Sequence, residues 1–181
     1  EKLSLNPVSH SNIKLVFTSL HGTAITLLPQ VLQSFGFKNI HILESQKKPD
    51  GDFPTVISPN PEEAEALDLA LQKAREIDAD MVIGCDPDSD RVGIAVRDHQ
   101  NELILLNGNQ TAAVLFDYIL KQKRISNSLP KNGFVASTVV TSALLGDIAK
   151  SYSIPVYNTL TGFKWIAELI NKLEGEKEFI I

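Results

Sequence analysis

Six residues, Asp86-Pro87-Asp88-Ser89-Asp90-Arg91, separate two apolar runs, Met81-Val82-Ile83-Gly84-Cys85 and Val92-Gly93-Ile94-Ala95-Val96. Both runs are too short for a stable helix, and they are rich in the β-branched residues that favour strands. The chain must therefore carry two strands joined by a connection that holds three carboxylates and one guanidinium. Three anions so close together repel one another and need a counter-charge. A divalent cation supplies it, because hard oxygen ligands at alternate positions, Asp86, Asp88 and Asp90, can converge on one Mg²⁺. Arg91 then fits as a clamp for a phosphate that meets the same metal.

Three other readings of this segment compete. A calcium loop of the EF-hand type also spaces oxygen ligands at alternate positions, but it requires Gly and Glu where Arg91 and Arg97 stand, and helices rather than strands on either side. An aspartyl-nucleophile phosphatase needs an apolar strand that delivers Asp-x-Asp, which Asp86 and Asp88 satisfy, with Asp86 as the attacking group. The second acidic pair that such chemistry wants downstream is not visible, yet the alternative stays open. A solvated acidic turn is the plainest reading, and three aspartates followed by arginine at a tight strand-to-strand connection argue against it.

Around this loop the chain reads as alternating strands and helices. Strands are expected at residues 13–20, 39–44, 102–106, 134–140, 156–160 and at the end of the chain, besides the two already named. Helices are expected at 25–35, from Pro61-Glu62-Glu63 onward, at 110–123 with Asn109 as cap, at 141–152 and at 163–173. Pro suits a first helical turn and acidic residues suit the positive end of the helix dipole. Ala64, Leu67, Leu71, Ala74 and Ile77 repeat at helical spacing. Strand–helix alternation of this kind indicates α/β layers. The expected architecture is two consecutive three-layer α/β/α domains with mixed sheets, the second incomplete. A linker at 1–12, a first domain at 13–106 and a truncated second domain at 107–181 complete the division.

Composition narrows the partners. A net charge of −5 lacks the basic footprint of a nucleic-acid binder. No apolar run is long enough to span a bilayer, and no signal-peptide pattern opens the chain. The single cysteine, Cys85, cannot form an internal disulfide and reads as an apolar filler at a strand end, so a reducing, cytoplasmic setting is expected. The chain ends on an apolar strand without a following turn and starts without methionine, which suggests a piece of a longer polypeptide.

At Asp86 to Arg91 the sequence resembles the α-D-phosphohexomutase family, which includes phosphoglucomutases and phosphomannomutases and carries Asp-x-Asp-x-Asp-Arg in its second domain. Thr18-Ser19-Leu20-His21-Gly22-Thr23 resembles the opening strand and turn of that domain, and Pro59-Asn60-Pro61-Glu62 the loop before its long helix. Asn107-Gly108-Asn109-Gln110 resembles the start of the third domain, and Thr159-Leu160-Thr161-Gly162-Phe163-Lys164-Trp165 a substrate-side loop within it. The form of the first and last of these motifs is similar to the phosphoglucomutase branch that in animals also includes phosphopentomutase activity.

The resemblance implies a four-domain enzyme in which a phosphoserine outside this stretch exchanges its phosphoryl group with a hexose or pentose phosphate through a bisphosphate. It implies Asp86, Asp88 and Asp90 as Mg²⁺ ligands and Arg91 as partner of the phosphoserine phosphate, with a salt bridge to an aspartate as the competing role. Thr161, Gly162, Phe163 and Lys164 become substrate-side residues, with a strand–helix turn capped by Thr161 as the plain alternative. Trp165 and Ile166 are expected in the core. The missing domains of the same chain become its partners, and the fragment alone is expected to be inactive and to bind metal weakly. At Ser137 many relatives carry Lys or Arg, a departure that removes a positive charge. Ser9-His10 only partly matches the family's nucleophile stretch and reads as linker. His21, His41 and His99 are assigned no chemistry, and His21 beside Gly22 reads as a turn marker.

Overall fold

The computed structural model describes residues 12–181. Ser9, His10 and all of the expected linker except Asn12 lie outside the described residues. The chain divides into two units between Gly108 and Asn109.

The first unit holds five strands: β1 (Lys14–Thr18), β2 (Asn39–Ile42), β3 (Met81–Cys85), β4 (Val92–Arg97) and β5 (Leu103–Leu106). Their order is β2-β1-β3-β4-β5, with β1 parallel to both β2 and β3, and β3, β4 and β5 antiparallel in sequence. Alternation along β1 sends its side chains to opposite faces. Val16 packs with Val82 and Ala95 against Leu67, Ala70, Leu71 and Ala74 of α2 (Ala64–Glu76). Leu15 and Phe17 pack with Cys85 and Ala24, beneath Leu28 and Leu32 of α1 (Leu28–Ser34). The sheet is thus covered on both faces, as the three-layer expectation requires.

The second unit begins with α3 (Gly108–Ile125) and continues through β6 (Gly133–Thr138), α4 (Leu144–Ser151), β7 (Val156–Thr159), α5 (Phe163–Leu173) and β8 (Glu178–Phe179). Its sheet has the order β7-β6-β8 with parallel pairing throughout, so the mixed pairing lies in the first unit. Phe116 and Leu120 of α3 meet Val135, Leu145, Ala149 and Ile154 in one core. On the opposite face Phe134 sets its ring edge-on to Tyr157 at 5.5 Å and tilted to Phe179 at 5.6 Å. Trp165 and Ile166 are half-buried rather than core, and α5 has no buried residue.

Several helix starts differ from the periodic reading, each for a local reason. The segment expected as a helix from residue 25 first makes a 3₁₀ turn at Thr23–Thr26, and α1 starts with Pro29 in its first turn. The side-chain oxygen of Asn60 accepts the Glu62 N–H at 3.2 Å, so the Pro61 segment turns before α2 begins at Ala64. Asn109 lies inside α3 rather than capping it, and its Oδ1 accepts the Ser142 N–H at 2.9 Å. The α4 start moves to Leu144 because the Thr138 and Thr141 hydroxyls bond each other at 2.7 Å and Ser142 Oγ accepts the Leu144 N–H at 3.3 Å. Among the described residues no helix is long and apolar enough to cross a membrane.

Candidate metal centre

The register pair Cys85↔Val92 closes the β3–β4 hairpin and leaves residues 86–91 as its connection. The loop holds itself by main-chain bonds. The Ser89 N–H donates to the Asp86 carbonyl at 3.1 Å, and the Asp86 N–H donates to the Arg91 carbonyl at 3.4 Å. Ser89 takes a left-handed φ of 67°, which re-aims the chain between Asp88 and Asp90. The turn after β1 clamps this loop from one side. Thr23 donates to the Pro87 carbonyl through its N–H at 2.9 Å and through Oγ1 at 3.1 Å, while its Oγ1 also meets Ser89 Oγ at 3.0 Å. Gly22 lies so close to the Pro87 backbone that any side chain there would collide with it.

The carboxylates share one small region but not one environment. Asp86, Asp88 and Asp90 offer oxygens that all lie within 4.8 Å of one another. Asp86 is fully buried, whereas Asp88 and Asp90 are exposed. Asp86 Oδ1 accepts the Arg91 main-chain N–H at 2.9 Å, and Oδ2 accepts Arg91 Nε–H at 2.8 Å. Burial alone would push this carboxyl up, but the hydrogen bonds and charge of Arg91 outweigh it and hold it below the usual carboxylate range. Asp90 moves the other way, raised by its hydrogen bond with Asp86 and by the negative charge of Asp88. Arg91 is raised in turn, chiefly by the bond to Asp86. The set is an all-oxygen cluster of unequal carboxylates, and its chemistry fits a hard cation such as Mg²⁺.

Arg91 therefore makes the aspartate salt bridge that was its competing role, while its side chain stays half-exposed. The phosphatase alternative finds no support, because both oxygens of the intended nucleophile, Asp86, are buried and bonded to Arg91. Cys85 is buried, and burial together with the Asp86 charge pushes its thiol up to about 11, so it packs rather than reacts.

Thr23, the last residue of the opening strand-and-turn segment, ties the loop down, and two residues not singled out from the sequence, Gln46 and Thr55, bond side chains of the turn before it. Thr18 Oγ1 donates to Gln46 Oε1 at 2.6 Å, and Gln46 Nε2 donates to Thr55 Oγ1 at 2.9 Å. Gln46 is fully buried, an unusual burial for an amide, yet nothing in its local sequence distinguishes it. His21 is the turn residue expected, with a φ of 61°, and both its ring nitrogens are hydrogen-bonded. His41 and His99 are exposed.

In the second unit, Thr161, Gly162, Phe163 and Lys164 form the exposed connection from β7 into α5. Gly162 rather than Thr161 is the N-cap residue, with a φ of 123°, and its carbonyl accepts the Trp165 N–H at 3.1 Å. Phe163 is 86% exposed. Lys164 places its ammonium 5.0 Å from the centre of the Trp165 ring. Ser137 is buried at the end of β6 and accepts a 3.4 Å bond from Thr159 Oγ1 at its carbonyl.

Two family models match the chain. Residues 1–100 match the alpha/beta/alpha domain II of phosphoglucomutase/phosphomannomutase, and residues 107–177 match domain III. Among curated proteins, a phosphoglucomutase of Staphylococcus epidermidis is 40% identical over 173 residues, covering 96% of this chain and 31% of that protein. The chain thus spans about a third of the length of such relatives. Among solved structures, a phosphoglucomutase/phosphomannomutase family protein of Burkholderia thailandensis superposes with a TM-score of 0.70 at 19% identity, covering 88% of this chain and 32% of that one. The N-acetylphosphoglucosamine mutase of Aspergillus fumigatus, solved with GlcNAc-6P and magnesium, gives 0.61 at 20% identity, covering 90% and 33%. At these identities the two structures speak for the fold.

Proposed function

Because the chain belongs to the phosphoglucomutase/phosphomannomutase family, we propose that it forms the metal-binding middle of a Mg²⁺-dependent sugar-phosphate mutase. The observation that carries this reading is the convergence of Asp86, Asp88 and Asp90 within 4.8 Å beside Arg91 at one hairpin tip. Residues 13–106 correspond to domain II and residues 107–181 to part of domain III. The reaction moves a phosphoryl group between the 1 and 6, or 1 and 5, positions of a sugar through a phosphoserine and a bisphosphate. The phosphoserine and the remaining domains belong to other parts of the same polypeptide, which are this chain's partners. The single buried cysteine suits the cytoplasm.

Asp86, Asp88 and Asp90 are the residues to hold the cation. Bound Mg²⁺ supplies positive charge against a transferring phosphoryl group. Arg91 braces Asp86 through its main chain and Nε, and its half-exposed guanidinium is placed to donate to phosphate oxygens. Thr161, Gly162, Phe163 and Lys164 are assigned to the sugar phosphate, with the N-terminal amides of α5 as donors and Lys164 as a cation. Ser137 leaves its position in that domain without a positive charge.

Calorimetric titration with Mg²⁺ tests the reading. Asp88→Asn removes an exposed carboxylate that braces nothing in the fold, and it should weaken binding by at least about tenfold. Equal affinity for the two proteins would remove the triad as the metal site. On the mutase side, the 181-residue chain should not convert glucose 1-phosphate to the 6-phosphate by itself. Turnover by the chain alone would overturn the assignment of the phosphoserine to another part of the polypeptide.

A further inference from the structure

A run of side-chain hydrogen bonds holds the turn that clamps the acidic loop, and the carbonyl at one end of it fixes which ring nitrogen of His21 carries hydrogen. At one end the main-chain N–H of Leu20 donates to Thr18 Oγ1 at 3.1 Å. At the other, His21 Nδ1 faces the Lys48 carbonyl at 3.2 Å. A carbonyl only accepts, so Nδ1 carries the hydrogen. Between the ends, the Thr18 hydroxyl donates to Gln46 Oε1, and Gln46 Nε2 donates to Thr55 Oγ1. Thr55 Oγ1 stands 2.9 Å from His21 Nε2. With one lone pair of Thr55 engaged by Gln46, its own proton is free to reach Nε2, which accepts it in the neutral ring. Each bond named in the run has one donor and one acceptor when the imidazole is neutral and protonated at Nδ1.

The same run grips the turn that clamps the acidic loop. Leu20 and His21 both adopt left-handed backbone, with φ of 46° and 61°. Such a conformation is unfavourable for a side-chain-bearing residue. It persists where the surroundings over-determine it. Here the His21 N–H and Ser19 Oγ both donate to the Gln46 carbonyl at 3.1 Å, and the Asp50 N–H donates to the His21 carbonyl at 3.0 Å. The turn so held delivers Gly22 and Thr23 against Pro87 and Ser89.

We propose that His21, as the neutral Nδ1–H tautomer, is a positioning residue for the metal-binding loop, acting through the Thr18–Gln46–Thr55 run and the Leu20–Thr23 turn. The effect on metal rests on the function proposed above, whereas the tautomer and the coupling between turn and loop do not.

Long-range proton–nitrogen NMR of the imidazole, together with Mn²⁺ binding followed by the loss of its free-ion EPR signal, tests the proposal. In the 181-residue chain the Nδ1 resonance of His21 should be of the protonated type and the Nε2 resonance of the unprotonated type. The reverse assignment overturns it. Thr55→Val strands both Gln46 Nε2 and His21 Nε2, so it should shift the amide resonances of Ser89 and Arg91 and weaken Mn²⁺ binding about tenfold. Thr55→Ser keeps the hydroxyl and should restore both readouts. Unchanged loop amides in a folded Thr55→Val protein overturn the proposal. If Thr55→Val does not fold, the ring spectrum decides. If the native chain binds no Mn²⁺ at its triad, the triad falls as the metal site, and the ring and amide spectra still judge the coupling.

Discussion

The connection at residues 86–91 is tied down by another segment of the chain, whereas the connection at residues 160–164 is held by little beyond its own helix. In the first, Thr23 binds Pro87 and Ser89, Gly22 abuts the Pro87 backbone, and Arg91 closes on a fully buried Asp86. In the second, Leu160 is 57% exposed and Phe163 is 86% exposed, and the bond from Trp165 to Gly162 is the first turn of α5. The difference teaches what each loop can do alone. Like charges stay together only where the fold pays their repulsion in advance, so a metal-binding loop must be pre-organised. A loop that meets a ligand through exposed side chains and helix amides has no such requirement.

Substitutions that remove each restraint should give effects that fall in step with it. Gly22→Ala forces a Cβ into the Pro87 backbone and should have the largest effect, with a loss of about 3 kcal/mol in urea unfolding and weaker Mg²⁺ binding. A smaller loss than at Arg91 would mean that the turn does not govern the loop. Arg91→Ala removes the Nε bond and the positive charge from Asp86 but keeps the main-chain N–H on its Oδ1. Because the arginine is half-exposed and water can enter, a smaller loss than at Gly22 is expected. This substitution also has a pH signature. Asp86 is held below its unfolded value, so its contribution is fully present above about pH 4 and is lost as pH falls through the lower folded value. Arg91→Ala should make that acid limb shallower, and an acid limb identical to the native one would show that neither the guanidinium nor its bond to Asp86 causes it. Phe163→Ala should change stability by no more than about 0.5 kcal/mol, because the ring is almost wholly in solvent. A loss as large as that at Arg91 would erase the contrast between the two connections.

Much of this was legible in the chain itself. The helical spacing of Ala64 to Ala74 identified α2, and the two apolar runs identified the β3–β4 hairpin together with its acidic tip. The helix starts were less legible. Asn60, Asn109 and Ser142 carry the residue types of caps, but which main-chain group each one bonds depends on what lies opposite it. Arg91 shows the same limit at the site. Its position beside the aspartates was plain, while its engagement with Asp86 depended on how far the loop folds back on itself.

Local pattern determined the α/β class, the alternation of elements and the three-carboxylate motif, because periodicity and residue type act over a few neighbouring positions. Tertiary structure alone decided that Asp86 is buried while Asp90 is exposed, and that the two carboxyls move in opposite directions. It alone joined Thr18, His21, Gln46 and Thr55 into one run of hydrogen bonds, with directly bonded partners up to 34 positions apart. The reason is that hydrogen-bond pairing and desolvation depend on distance in space, and these partners meet only after the sheet has closed around them.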